Sequence, residues 1–223
     1  MNRAQRSHRL RLREPVNGLT HLAGAVLSLA GLAVLVALAW GEPWRVSSFA
    51  VYGLSLVLLY TASTLYHSLH LGELGLRRLK RLDHIAIFAL IAGTYTPITL
   101  VTLQPQHAAW GWVIFGVVWG FALLGVLFKL LWLAAPRWLY TGLYLLMGWM
   151  SLAAILPITR AMPTGGLVWM ALGGLFYTVG ALVYAFKRPN FSRHFGFHEL
   201  WHLFVLAGSF SHFVMMVGYV LPA

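Results

Sequence analysis

The chain has 223 residues, 60% of them apolar and only 9% charged, and a formal net charge of +11. Too few polar side chains are present to coat a soluble globule of this length, so the composition excludes a soluble fold and describes an integral membrane protein. With no cysteine, disulfides, thiolate metal ligands and thiol catalysis are excluded, and any metal must sit on His, Asp or Glu.

Residues 1–17 are read as a basic arm carrying Arg3, Arg6, Arg9, Arg11 and Arg13. Apolar runs near the ~20 residues that a helix needs to cross a bilayer follow. They fall at about 18–40, 47–68, 84–103, 109–132, 138–158, 166–186 and 198–220. The expected fold is therefore all-α, a single seven-transmembrane helix bundle over residues 18–223, with connectors too short for a soluble domain. A basic arm before an apolar run is also the pattern of a signal peptide, but this run is longer than such a core and is read as a span.

The remaining Lys and Arg alternate along the connectors. Arg77, Arg78, Lys80 and Arg81 lie in the second, Lys129 and Arg137 around the fourth, and Lys187, Arg188 and Arg193 in the sixth, while the other connectors hold only Arg45 and Arg160. This is the positive-inside pattern with the N-terminus cytoplasmic and the C-terminus outside. The basicity thus reflects topology and attraction to membrane lipids, and no nucleic-acid partner is expected. Small residues one turn apart, Gly24 with Ser28 and Gly116 with Gly120, suit close helix packing inside the bundle.

Ionisable residues within spans are costly and mark functional positions. On the expected topology His21 opens span 1, His67 closes span 2, Asp83 and His84 open span 3, and His198 and His202 open span 7, all at the cytoplasmic face. His198 and His202 belong to His198-Glu199-Leu200-Trp201-His202, which matches the H-E-x-x-H pattern of zinc proteases. At i and i+4 they share a helix face and suit one zinc ion, with His67 the best third ligand. Three imidazoles leave a position open for a water that the metal acidifies.

Asp83 is a possible general base or simply the N-cap of span 3; Ser63, one turn before His67, positions the water or bonds back to its own helix. Glu14, Asn17 and His21 either close the cytoplasmic mouth of the site or form a juxtamembrane turn in which Asn17 or Thr20 caps span 1. Glu199 supports the metal site, sits among headgroups, or balances the helix dipole. His84 is ambiguous. His212, ten residues beyond His202, cannot share that ion and lines a cavity above it or is a satisfied interior histidine. His8, His70, His107 and His194 fall in arms or connectors, where solvation is the default.

Three separated motifs carry a resemblance. Glu14, Asn17 and His21 form E-x-x-N-x-x-x-H, Ser63 and His67 form S-x-x-x-H with Asp83 following, and His198 and His202 form H-x-x-x-H. Together with the Ala92-Gly93-Thr94-Tyr95-Thr96-Pro97 run they resemble the hemolysin III branch of the progestin and adipoQ receptor (PAQR) superfamily, over all seven spans. The resemblance implies a multi-pass protein of the bacterial cytoplasmic membrane with zinc on His67, His198 and His202 and with Asp83 and Ser63 near the metal-bound water. It also implies kinship with membrane ceramidases.

The leading functional expectation is a zinc-dependent hydrolase of a lipid amide or ester, with a lipid-like substrate. The alternatives are a receptor or regulator of membrane state in which zinc is structural, a cytolytic protein, and a metalloprotease using Glu199. Seven apolar spans with few intramembrane charges offer no evident pore, and Ser63, His67 and Asp83 supply from other helices what a protease would draw from Glu199.

Overall fold

The structure, a computed structural model, describes residues 12–192 and 195–222. His8, His194 and most of the basic arm lie outside them. The described chain is helical, with no strand among the described residues. The helices are α1 (Pro15–Leu38), α2 (Pro43–Ser68), α3 (Glu73–Pro97), α4 (Gln104–Leu131), α5 (Arg137–Gly148), α6 (Ile155–Ala161), α7 (Thr164–Phe186) and α8 (Phe197–Met215). A π-turn, Ile98–Thr102, extends α3, a second, Met216–Val220, extends α8, and a 3₁₀ segment, Trp149–Ala154, joins α5 to α6. Seven helical stretches are long and apolar enough to cross a membrane, with α5 and α6 together forming the fifth.

Their outward faces carry large apolar side chains such as Leu27, Leu123, Leu156 and Phe210, which water would penalise and lipid solvates. Span 3 is central, with 78% of its apolar window buried inside the protein. One core around Phe49, Tyr52 and Tyr60 joins it to spans 1, 2 and 7; another around Phe88, Tyr144 and Met147 joins it to spans 4 and 5.

Span 3 begins earlier than hydropathy suggests. Its helix starts at Glu73, capped by Gly72, so Arg77, Arg78, Lys80 and Arg81 are helical rather than a connector. Leu, Arg and Lys are good helix formers, and a helix end at headgroup level keeps their charges hydrated. Asp83 is therefore well inside α3 and does not cap it. His84, likewise, is interior and buried.

The entry to span 1 also differs from a side-chain cap. Glu14 is the N-cap residue with Pro15 following, an arrangement suited to a ring that lacks an N–H. Thr20 donates instead to the Val16 carbonyl at 2.8 Å. Span 5 is broken where α5 meets the 3₁₀ turn, and Tyr95 bridges the break: its hydroxyl donates to the Gly148 carbonyl at 2.6 Å and accepts from the Ser151 amide at 2.8 Å. Broken backbone at membrane depth is tolerated when its polar groups are met in this way.

Gly24 packs as expected. A Cβ there would lie 2.6 Å from Tyr60 Cδ1 and 2.9 Å from Leu206 Cδ2, so its absence lets spans 1, 2 and 7 meet. Gly116 and Gly120 depart from expectation, since a Cβ at either would meet no neighbouring element within 4 Å among the described residues.

Candidate metal centre

Span 2 ends with carbonyls that its own helix cannot satisfy. The segment before α1 meets them: the Arg13 amide donates to the Ser68 carbonyl at 3.3 Å and the Glu14 amide to that of His67 at 2.9 Å. This backbone docking brings the Glu14 carboxylate to His67 Nδ1, at 2.6 Å. Burial pushes the Glu14 carboxyl up, but the hydrogen bond and charge of His67, with Arg13 and Asn17 beside it, outweigh that and hold it at about 2, below its ordinary 4.5. Carboxylate on Nδ1 fixes the ring and directs Nε2 away from Glu14, as in metal-binding histidines.

Asn17 links both glutamates. Its Nδ2 donates to Glu14 Oε2 at 3.3 Å and to Glu199 Oε1 at 2.9 Å. The other oxygen of Glu199 accepts the Gly196 amide at 2.8 Å, which satisfies the N-terminus of α8. Glu199 is thus held by helix cap and neighbour, an arrangement of support rather than of a free base. This capping starts α8 at Phe197 and sets His198 and His202 on one face, one turn apart.

The three rings converge. Ring centroids lie 5.1 Å apart for His67 and His198, 4.8 Å for His67 and His202, and 5.0 Å for His198 and His202. One nitrogen from each forms a set whose members all lie within 4.8 Å of one another. Three atoms no more than 4.8 Å apart always leave a point within about 2.8 Å of each, so an ångström or less of side-chain adjustment reaches the ~2.0–2.1 Å of a zinc–imidazole bond. His198 Nε2 is buried without a hydrogen-bond partner, as expected of a donor awaiting an ion. The donor set, three imidazoles with one ring braced by a carboxylate, fits a metal and suits zinc.

Asp83 and Ser63 come together beside this group, the Ser63 hydroxyl donating to the Asp83 carboxylate, with His67 close enough to act on its charge. Both line a cavity of about 400 Å³ that also receives His21, His84, His198, His202 and His212. His21 stacks on His202, with centroids 3.7 Å apart, and meets Tyr60 edge-on. His212 is remote from the three rings, its Nε2 3.3 Å from the Met170 carbonyl, and is both cavity-lining and partly satisfied.

Sequence reasoning passed over several residues at this end of the cavity. Tyr184 lies 5.7 Å from the His198 ring, Tyr140 lies 5.2 Å from the His84 ring, and Arg137 sits over Tyr184. Lys129, whose sequence context marks only a topology charge, is completely buried. The available signal was a lysine inside the last turn of an apolar run.

Residues 10–213 match the family described as Haemolysin-III related. The chain belongs to the hemolysin III family. A "Hemolysin-3" of Bacillus cereus is 38% identical over 94% of this chain and 92% of its own length. A "Hemolysin-3 homolog" of Bacillus subtilis (strain 168) is 37% identical over 92% of this chain and 93% of its own. The human "Monocyte to macrophage differentiation factor", a PAQR-type relative, is 28% identical over 92% of the chain and 83% of its own length. As a hemolysin III family member with seven spans, the chain is a multi-pass protein of the plasma membrane.

Proposed function

We propose that the protein is a zinc-dependent hydrolase of a lipid amide or ester, with His67, His198 and His202 holding the metal. The observation that carries this reading is the convergence of three imidazole nitrogens within 4.8 Å beside a cavity that His198, His202, Asp83 and Ser63 line. Bound there, zinc would polarise a carbonyl and acidify a water. Asp83 takes the proton from the attacking water and returns it to the leaving group, and Ser63 orients the carboxylate by donating to it. Glu14 holds the His67 ring in place, and Glu199 reaches the same support through Asn17. Apolar walls from Leu59, Ile87, Leu90 and Ile91 suit an acyl chain and exclude bulk water. The basic residues at this end, Arg77, Arg78, Lys80 and Arg81 among them, support a cytoplasmic position for the site.

Elemental analysis of the purified protein tests the first half: about one zinc per chain is expected, lost in His67→Ala, His198→Ala and His202→Ala. Retention of zinc in all three variants sinks the assignment. Release of fatty acid from a panel of lipid amides and esters tests the second half, with Asp83→Asn expected to abolish turnover while keeping the metal.

A second reading is a metal clamp without turnover. What favours it is that the ligands tie the end of α2 to the start of α8, and Glu14 adds the entry of α1. Cellular activity that survives Asp83→Asn but fails on zinc removal selects this reading.

A further inference from the structure

The same end of the cavity holds a second polar group that metal chemistry leaves unused. Lys80 and His84 from α3, Arg137 and Tyr140 from α5 and Tyr184 from α7 all line it. His84 is 6% exposed, and its Nδ1 has no hydrogen-bond partner. Behind Tyr140 stands Lys129, wholly buried, its Nζ 3.5 Å from the Tyr140 ring centroid and likewise without a hydrogen-bond partner. Tyr140 meets Tyr184 hydroxyl to hydroxyl at 3.1 Å. The Arg137 guanidinium lies 4.4 Å over the Tyr184 ring and donates to the Tyr184 carbonyl at 3.0 Å, which leaves other N–H donors free.

The charge is unbalanced. Among the described residues that line the cavity Asp83 is the one acid, and it is engaged by Ser63 and faces His67. Lys80 lies near enough to act on both Asp83 and Lys129. None of Lys80, Lys129 and Arg137 forms an ion pair among the described residues. Lys129 is buried and Arg137 half-buried, with Lys80 at the exposed edge of the group, and cations drawn together out of water repel one another and are costly without counter-charge. Aromatic faces under Lys129 and Arg137 offset part of that cost without consuming N–H donors. An anion supplied by a ligand completes the balance, and phosphate matches both the arginine fork and the lysine ammonium.

We propose that Lys80, His84 and Arg137, with Lys129 behind them, bind the phosphate of a lipid headgroup whose acyl chain occupies the cavity. Lys129 lies in the last turn of α4, Arg137 begins α5, and Lys80 and His84 lie one turn apart on α3, while the wall beyond them is apolar, running through Ile91, Leu145 and Leu152, so the ligand needs a charged head and an apolar tail. As a statement of substrate class the proposal rests on the hydrolase reading; as a binding site it is independent of turnover.

Binding to the full chain in a neutral detergent tests it, with three probes: lysophosphatidic acid, the monoacylglycerol of the same chain length, and inorganic phosphate. Lysophosphatidic acid is expected to bind about tenfold or more tighter than monoacylglycerol, as loss of one charge-assisted contact implies. Lys80→Gln, at an exposed side chain with no ion pair among the described residues, is expected to weaken lysophosphatidic acid about tenfold, leave monoacylglycerol unchanged, and be rescued by Lys80→Arg. Equal binding of the two lipids, or unchanged affinity in Lys80→Gln, overturns the site. Inorganic phosphate competing as strongly as the lipid overturns the lipid assignment in favour of a soluble anion. The chelated protein and His67→Ala are expected to keep lysophosphatidic acid binding; its loss in both assigns the phosphate to the metal and overturns the cationic site. Because no turnover is read, absence of hydrolysis leaves this outcome separate from the failure of the hydrolase reading.

Discussion

Glu14 is the residue through which the entry of the chain acts on a candidate ligand, and its contribution is measurable in two ways. Removing a carboxylate that braces a metal-binding histidine costs about 10–100-fold in affinity, so Glu14→Ala is expected to lose zinc to a competing chelator over that range while remaining folded. The pH dependence has a definite sign. A carboxyl held at about 2 when folded and near 4.5 when unfolded stabilises the fold in full above the higher value and loses that contribution as pH falls toward the lower. The Tm difference between wild type and Glu14→Gln should therefore be constant around neutral pH and close between about pH 4.5 and 2. Of the site itself, His198 and His202 were legible from spacing alone and His67 from its depth. Which of their alternative roles Glu199 and Asn17 take was not legible, because a bond between positions 17 and 199 leaves no local pattern.

At the scale of elements, the two glycine pairs make a controlled comparison. Gly24→Val puts methyl groups against Tyr60 and Leu206, where overpacking costs about 1–3 kcal/mol, and a clear fall in Tm is expected. At Gly116 a Cβ meets no neighbouring element within 4 Å among the described residues, so Gly116→Val should leave the Tm of the monomer nearly unchanged. Equal effects in thermal melts would contradict this assignment of the two faces. Hydropathy could not separate the pairs, since it reports only that a run is apolar and not which side of the helix meets protein. The early start of α3 was hidden for a related reason: Arg77 to Arg81 look like a loop on a hydropathy scale but are good helix formers. The break in span 5 was hidden too, because its remedy is the hydroxyl of Tyr95 from another helix.

Across the whole molecule, the three candidate ligands bring the end of α2 to the start of α8, and the cavity reaches past them to Thr94 and His212. Chelation is expected to lower the Tm of wild type and to have no effect on His67→Ala, as binding to the folded state alone requires. Thr94→Phe, which fills the cavity from the central span, should weaken long-chain lipids more than short-chain ones in the same binding assay. Equal losses for both chain lengths would place the acyl chain elsewhere. The seven-span architecture was readable from composition because lipid-facing helices are apolar on sides that water would forbid. The cavity was not, being made of gaps between side chains from several spans.

The docking of Arg13 and Glu14 on the end of span 2 has a thermodynamic consequence that runs in both directions. If metal binding strengthens the hold of His67 on Glu14, it also strengthens the seating of the segment that leads into α1. By reciprocity, whatever pulls that segment away must lower metal affinity by the same factor. The amino-terminal side of the chain is then a handle on the metal, and a protein or lipid that grips it would act as an effector without entering the cavity.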